Sequence, residues 1–180
     1  MDWRTIKDTF GLRFWKGLLK DVVFALAVVV VMAGALFAYA GTWPPFVTVD
    51  GQSMLPNLRQ NDLIIIKGLD RTGVETYNSS LSDGHKMFSD YGDVIVYHPY
   101  GDPTKVPVIH RAMYWVNESE PMWPGGPPAP HAGYITQGDN NFLYDQSSSI
   151  SEDQPVKPEW IIGVAEVRVP YLGWLRSLIG

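Results

Sequence analysis

Hydrophobic and polar positions divide this chain into three stretches. Residues 1–21 mix charged with aromatic and aliphatic side chains, and residues 22–49 carry no charge at all. From Asp50 onward, short apolar runs alternate with polar stretches rich in glycine and proline. Val22–Ala40 is strongly apolar over 19 residues. As a helix it spans roughly 28 Å at ~1.5 Å per residue, close to the ~30 Å hydrocarbon thickness of a bilayer. Pro44 and Pro45 are expected to stop it, and Tyr39, Trp43 and Phe46 suit a membrane interface. Ala38-Tyr39-Ala40 has the small-x-small form of a leader-cleavage site, but the apolar run exceeds the ~7–15 residues of such a leader. The pattern therefore predicts a retained anchor. Five basic residues before it (Arg4, Lys7, Arg13, Lys16 and Lys20) place the N-terminus in the cytoplasm. The expected organisation is a cytoplasmic basic leader over 1–21, a transmembrane anchor over 22–43 and an extracytoplasmic domain over 44–180.

In that domain the apolar runs are short, β-branched and aromatic, and turn residues bound them. Phe46–Val49, Leu63–Ile66, Asp93–Tyr97, Val106–Val116, Tyr134–Thr136 and Trp160–Val169 each predict a strand. Asn61-Asp62 reads as a turn before the second, and His98-Pro99 stops the third. Residues 70–91 are expected to be irregular, 117–131 a loop and 145–159 a polar surface loop. Pro170–Ile179 is apolar but too short to span a bilayer; it lies on the membrane surface or packs on the domain. The fold class is therefore mainly β, a β-rich domain on one N-terminal transmembrane helix. Two glycosylation sequons, Asn78-Ser79-Ser80 and Asn117-Glu118-Ser119, accord with an outside location.

Composition narrows the chemistry. The 180 residues contain no cysteine, which removes disulfides, thiolate metal sites and cysteine nucleophiles together. The net charge is −5, and the acidic excess is greater beyond residue 21, so no nucleic acid is expected as partner. No two histidines have the spacing of a zinc-protease motif, so neither metal nor cofactor is expected.

Three stretches could carry a reaction. In Gly51-Gln52-Ser53-Met54-Leu55-Pro56, Ser53 sits in a turn between extended segments. Gly51 would permit a backbone angle other residues avoid, and Pro56 would stiffen the exit. A nucleophilic serine needs a base, and His110, in the strand-like run Val108-Ile109-His110-Arg111, has a fixed side-chain direction. His85, His98 and His131 read as surface residues. In Gly138-Asp139-Asn140-Asn141, and six residues on from Asp139 at Asp145, either carboxylate could orient the histidine and stabilise its imidazolium. Taken singly, each residue has a plainer reading: a turn serine, a strand histidine bonded to a neighbour, an Asx-turn aspartate and a solvated loop acid.

Jointly the stretches resemble signal peptidase I, in particular its ER/archaeal type, which pairs serine with histidine where the bacterial type uses lysine. Five blocks carry the resemblance, in order: Val49–Pro56; Gly92-Asp93-Val94-Ile95-Val96-Tyr97; Val108–Arg111; Gly138–Asn141 with Asp145; and Trp160–Ala165. The resemblance implies a membrane-anchored endopeptidase that removes signal peptides from exported preproteins. Ser53 would be the nucleophile and His110 the general base. Asp145 matches the aspartate completing the triad, and Asp139 the turn aspartate that supports the site. Signal peptides and the lipid bilayer are the partners implied, and association with the export machinery is compatible with this. Many ER-type members have a serine where this chain has Gly51, so the expected oxyanion donor is at least the Ser53 N–H, with the Gln52 side chain a further candidate. The segments 70–91 and 117–133 read as insertions without an assigned role. Two rival readings stand beside this one: a protease dedicated to one surface protein, and a non-catalytic membrane-anchored binding module.

Overall fold

The computed structural model describes residues 3–173, with side chains from residue 13 onward. The expectation for Trp174–Ile179 lies outside the described residues, and so do Met1 and Asp2 of the leader. The chain divides into two compact units, one ending at Tyr39 and the other beginning at Ala40.

The first unit is helical. Helix α1 runs Trp3–Ala40, so leader and apolar run form one continuous helix. Its stretch Arg13–Ala40 is long and apolar enough to cross a membrane by length and composition. Phe24, Val30, Val31 and Met32 are all exposed along it. The prolines do not stop α1. It ends three residues before them, at Gly41, whose φ of +64° is the left-handed cap conformation. A Cβ there would also lie 2.7 Å from Arg71 Cγ.

The second unit is built on a six-stranded antiparallel sheet. Its strands are β1 (Phe46–Thr48), β2 (Leu63–Lys67), β5 (Val94–Tyr97), β6 (Val108–Val116), β7 (Gly133–Gln137) and β8 (Ile161–Val169). A separate hairpin is formed by β3 (Lys86–Met87) and β4 (Asp90–Tyr91). The order across the sheet is β1-β2-β8-β5-β6-β7. The last strand in sequence thus lies between β2 and β5 and joins the two halves. β5 is buried at every position, as an unbroken apolar run in mid-sheet should be. Its side chains alternate between two cores. Val94 and Val96 join Val49, Met54, Leu58, Ile64, Ile66 and Ala165. Ile95 and Tyr97 join Ala112, Val156 and Val164.

Two segments differ from the sequence expectation and a third adds to it. Residues 70–91 are not irregular: they contain helix α2 (Tyr77–Asp83) and the β3–β4 hairpin. The sequence YNSSLSD has no amphipathic period, so α2 exists through its ends. Thr76 caps it by accepting from the Ser79 N–H at 3.2 Å, and Gly84 closes it in the left-handed conformation. Ser80 of α2 is fully buried and its hydroxyl has no partner among the described residues, an arrangement that costs about 1–3 kcal/mol. Residues 117–131 are loop as expected, but they carry buried Met122 and Ala129 onto Val116 and Ile135 as a third small core. Residues 145–159 are not a surface loop, since Asp145, Gln146 and Ser151 are fully buried. Val156 there exchanges two backbone hydrogen bonds with Tyr134 of β7, at 2.8 and 2.9 Å.

Candidate active site

Ser53 sits on a tight turn that is anchored on both sides. Met54 and Leu58 are fully buried in the first core, each contributing about 1.5–3 kcal/mol of transfer free energy. The Leu58 N–H bonds the Met54 carbonyl at 2.8 Å. Across the site, the Asn140 N–H donates to the Ser53 carbonyl at 2.7 Å, and Asn140 Nδ2 donates to the Gln52 carbonyl at 3.2 Å. Gly138 is required by this approach, because a Cβ there would lie 2.7 Å from the Ser53 carbonyl oxygen. Gly51 has no positive φ, contrary to the expectation from sequence. A Cβ there would make only ordinary contacts, 3.9 Å from Ser53 N and Oγ, so neither backbone angle nor space demands a glycine at this position.

Register and turn bring His110 to this serine. His110 lies opposite Ile95 on β6, 97% shielded from solvent. Its Nε2 is 2.9 Å from Ser53 Oγ, and its Nδ1 is 2.8 Å from both carboxylate oxygens of Asp145. A carboxylate only accepts, so Nδ1 carries the proton and the Nε2 lone pair faces the serine hydroxyl. Asp145 opens a 3₁₀ turn, Asp145–Ser147, and is held by groups the sequence did not single out. Tyr97 and Thr136 donate their hydroxyls to Asp145 Oδ2 at 2.8 and 2.6 Å. Gln146 accepts from the Thr136 N–H and donates to the Thr136 hydroxyl, which locks the turn onto β7. Burial first, and the Asp145 charge second, push the Tyr97 phenol well above its usual range. It therefore stays protonated and donates.

Asp139 is elsewhere. It makes a bidentate ion pair with Arg111, with Nε and Nη2 both at 2.8 Å, and accepts from Asn57 Nδ2 at 2.8 Å. The guanidinium is almost wholly buried, and its Nη1 bonds the carbonyls of Met87, Tyr91 and Gly92 at 3.1, 3.1 and 2.7 Å. Arg111 thus fastens three pieces together: strand β6 that carries His110, the 138–141 turn that holds Ser53, and the β3–β4 hairpin. The supposed insertion 70–91 is in this way tied into the floor beneath the site.

Ser53 and His110 open into a groove of about 980 Å³. Phe46, Leu63, Val96, Val108, Ile109 and Leu172 give it an apolar lining. Its Phe46–Thr48 wall is β1, an edge strand of the sheet.

The other histidines do not approach Ser53. His98 Nδ1 donates to the Lys105 carbonyl at 3.3 Å, and the His131 ring lies edge-on to Trp160. Lys105 precedes β6 and sits 4.0 Å over the Tyr100 ring. His85 donates from Nε2 to Asp93 Oδ1 at 2.7 Å. That hydrogen bond, opposed by partial burial and assisted by the charges of Asp93, Glu75 and Asp83, raises its pKa. Its stabilising contribution is therefore complete below about pH 6.5 and is lost as pH rises through the raised value. The Tm gap between the parent and His85→Gln should be widest near about pH 6 and close at higher pH. A gap that grows with pH would contradict this assignment.

Tyr97, Thr136, Gln146 and Arg111 are the site residues that sequence reasoning left without a role. Tyr97 and Arg111 stood inside quoted blocks, so a polar residue within an apolar strand was the signal available. Among the described residues no group of His, Asp and Glu could hold a metal ion. The chain matches no protein-family model and no curated protein.

Proposed function

We propose that this protein is a membrane-anchored serine endopeptidase of the signal peptidase I type, which removes signal peptides from exported preproteins. The observation that carries the reading is the relay Asp145–His110–Ser53, with links of 2.8 and 2.9 Å, opening onto an apolar groove. Ser53 Oγ attacks the scissile carbonyl while His110 Nε2 takes its proton; Asp145 stabilises the imidazolium. The same nitrogen returns the proton to the leaving amine, and water then hydrolyses the acyl-enzyme. The turn leaves the Ser53 N–H as oxyanion donor. The Gln52 side chain, the other candidate, is on an exposed residue.

Substrate would add as an extended strand along β1, with main-chain hydrogen bonds for affinity and shallow apolar contacts for selection. An anchor that crosses the membrane holds the groove where a signal peptide leaves the bilayer and raises its effective concentration. In this reading the N-terminus is cytoplasmic and the β-rich unit lies outside. Full-length protein in vesicles, given several unrelated membrane-inserted preproteins, should cut each at its signal-peptide junction after a small residue. Cutting of one substrate alone would favour a dedicated processing protease, and a non-catalytic binding module would cut none.

A further inference from the structure

The sequon Asn78-Ser79-Ser80 takes no part in the proposed chemistry, yet its surroundings are specific. We propose that Asn78 is an N-glycosylation site whose first sugar rests on an aromatic floor formed by Tyr114, Trp123 and Tyr144. The proposal rests on the outward placement of the β-rich unit given above.

Two independent observations carry it. Asn78 is exposed in the first turn of α2 and forms one wall of an open surface cavity of about 640 Å³. Tyr114, Met122, Trp123 and Tyr144 supply other walls. The Tyr144 ring meets Tyr114 edge-on at 5.6 Å and Trp123 tilted at 6.4 Å, so the three rings form one contiguous aromatic cluster that offers ring faces and edges at different angles. Aromatic faces bury the C–H face of a pyranose well, and Glu120 at the rim can accept from its hydroxyls.

The second observation is Ser80. Its side chain is fully buried and its hydroxyl unpartnered, at a helical position where alanine would pack without a polar atom to satisfy. No group among the described residues uses that hydroxyl, whereas the sequon requires it. Asn117, in the other sequon, is placed differently. Its Nδ2 donates to Glu120 at 3.1 Å and its Oδ1 accepts from Trp115 Nε1 at 3.3 Å, and the residue is not among those lining the aromatic cavity, so a glycan there would lack the floor.

The modification needs a polyisoprenyl-phosphate-linked oligosaccharide and a transferase on the outer side of the membrane. Asn78 Nδ2 forms a bond to the sugar C1 as the C1–O bond to phosphate breaks. The phosphate leaves with the electron pair, and the amide proton passes to a base of the transferase. Transfer precedes the folding of α2, while the Ser80 hydroxyl is still reachable.

The test is synthesis of the full chain in endoplasmic-reticulum microsomes, with protease protection read on the same sample. The expected result is a protected β-rich unit bearing an endoglycosidase-sensitive mobility shift. Asn117→Gln keeps a shift, and Asn78→Gln or Ser80→Ala added to Asn117→Gln each remove it. A protected unit without a shift, or a shift that survives Asn78→Gln in the Asn117→Gln background, overturns the glycan proposal alone. Digestion of the unit by added protease overturns the outward placement and the proposal with it. For the aromatic floor, enzymatic removal of the glycan should lower Tm by about 2–4 °C. Trp123→Ala should keep the modification and lose that difference; a difference unchanged in Trp123→Ala overturns the stacking.

Discussion

His110→Ala should abolish peptide-bond cleavage, with a loss in kcat on the order of 10⁶-fold and little change in substrate affinity. The imidazole is the only base in contact with Ser53 Oγ among the described residues, at 2.9 Å, and a serine without a base is a poor nucleophile at neutral pH. His110→Lys should not rescue activity. An amine at that position would lie against the buried Asp145 carboxylate, and an adjacent opposite charge holds an amine in its protonated form. It would then have no lone pair for the serine proton. Single-turnover cleavage by the three proteins, with circular dichroism to show that each is folded, is the measurement. Substantial activity in His110→Ala would remove the base from the account.

The second large effect separates the two aspartates. Asp145→Asn should lose about 10⁴-fold in kcat while staying folded. Tyr97 and Thr136 both donate to Asp145 Oδ2, so an asparagine would place its carbonyl there and turn its amide toward His110 Nδ1. The imidazole would then carry its proton on Nε2, facing Ser53, which is the wrong tautomer for a base. Asp139→Asn should show the opposite balance. It removes the charge partner of Arg111, a guanidinium with 1% side-chain exposure, and breaking such a buried pair costs about 3–5 kcal/mol. The variant should melt well below the parent, with its remaining folded fraction far more active than Asp145→Asn. Parallel kcat and Tm measurements decide it, and the reverse order would exchange the two roles.

Much of the scaffold could be read from the sequence because its strands are dense in β-branched residues. Leu63–Ile66, Asp93–Tyr97 and Trp160–Val169 need no tertiary information to be recognised as strands. The helix α2 could not be read, since Tyr77–Asp83 has no apolar stripe and a single strong helix former, Leu81; its caps at Thr76 and Gly84 make it. Asp145 is instructive in the same way. Its neighbours Gln146, Ser147, Ser148 and Ser149 give the composition of a solvated loop, yet Asp145 and Gln146 are fully buried because each finds a polar partner on β7.

Composition reports average polarity, whereas burial depends on where the hydrogen bonds go. The candidate residues themselves were visible as motifs. Their meeting was not: Ser53 and His110 are 57 positions apart, and their contact depends on the β5–β6 register and on the bond from Asn140 N–H to the Ser53 carbonyl. The stop of α1 at Gly41 rather than at Pro44 has a local cause. A glycine in the left-handed conformation ends a helix before the prolines are reached.

The central claim is that Ser53 is a nucleophile acting on a signal peptide. Its most direct test is cleavage of a membrane-inserted preprotein by the full-length parent and by Ser53→Ala, side by side in the same vesicles. The account predicts a single cut at the signal-peptide junction by the parent and none by Ser53→Ala. Equal cleavage by both proteins, or none by the parent in vesicles where a known signal peptidase works, would contradict it.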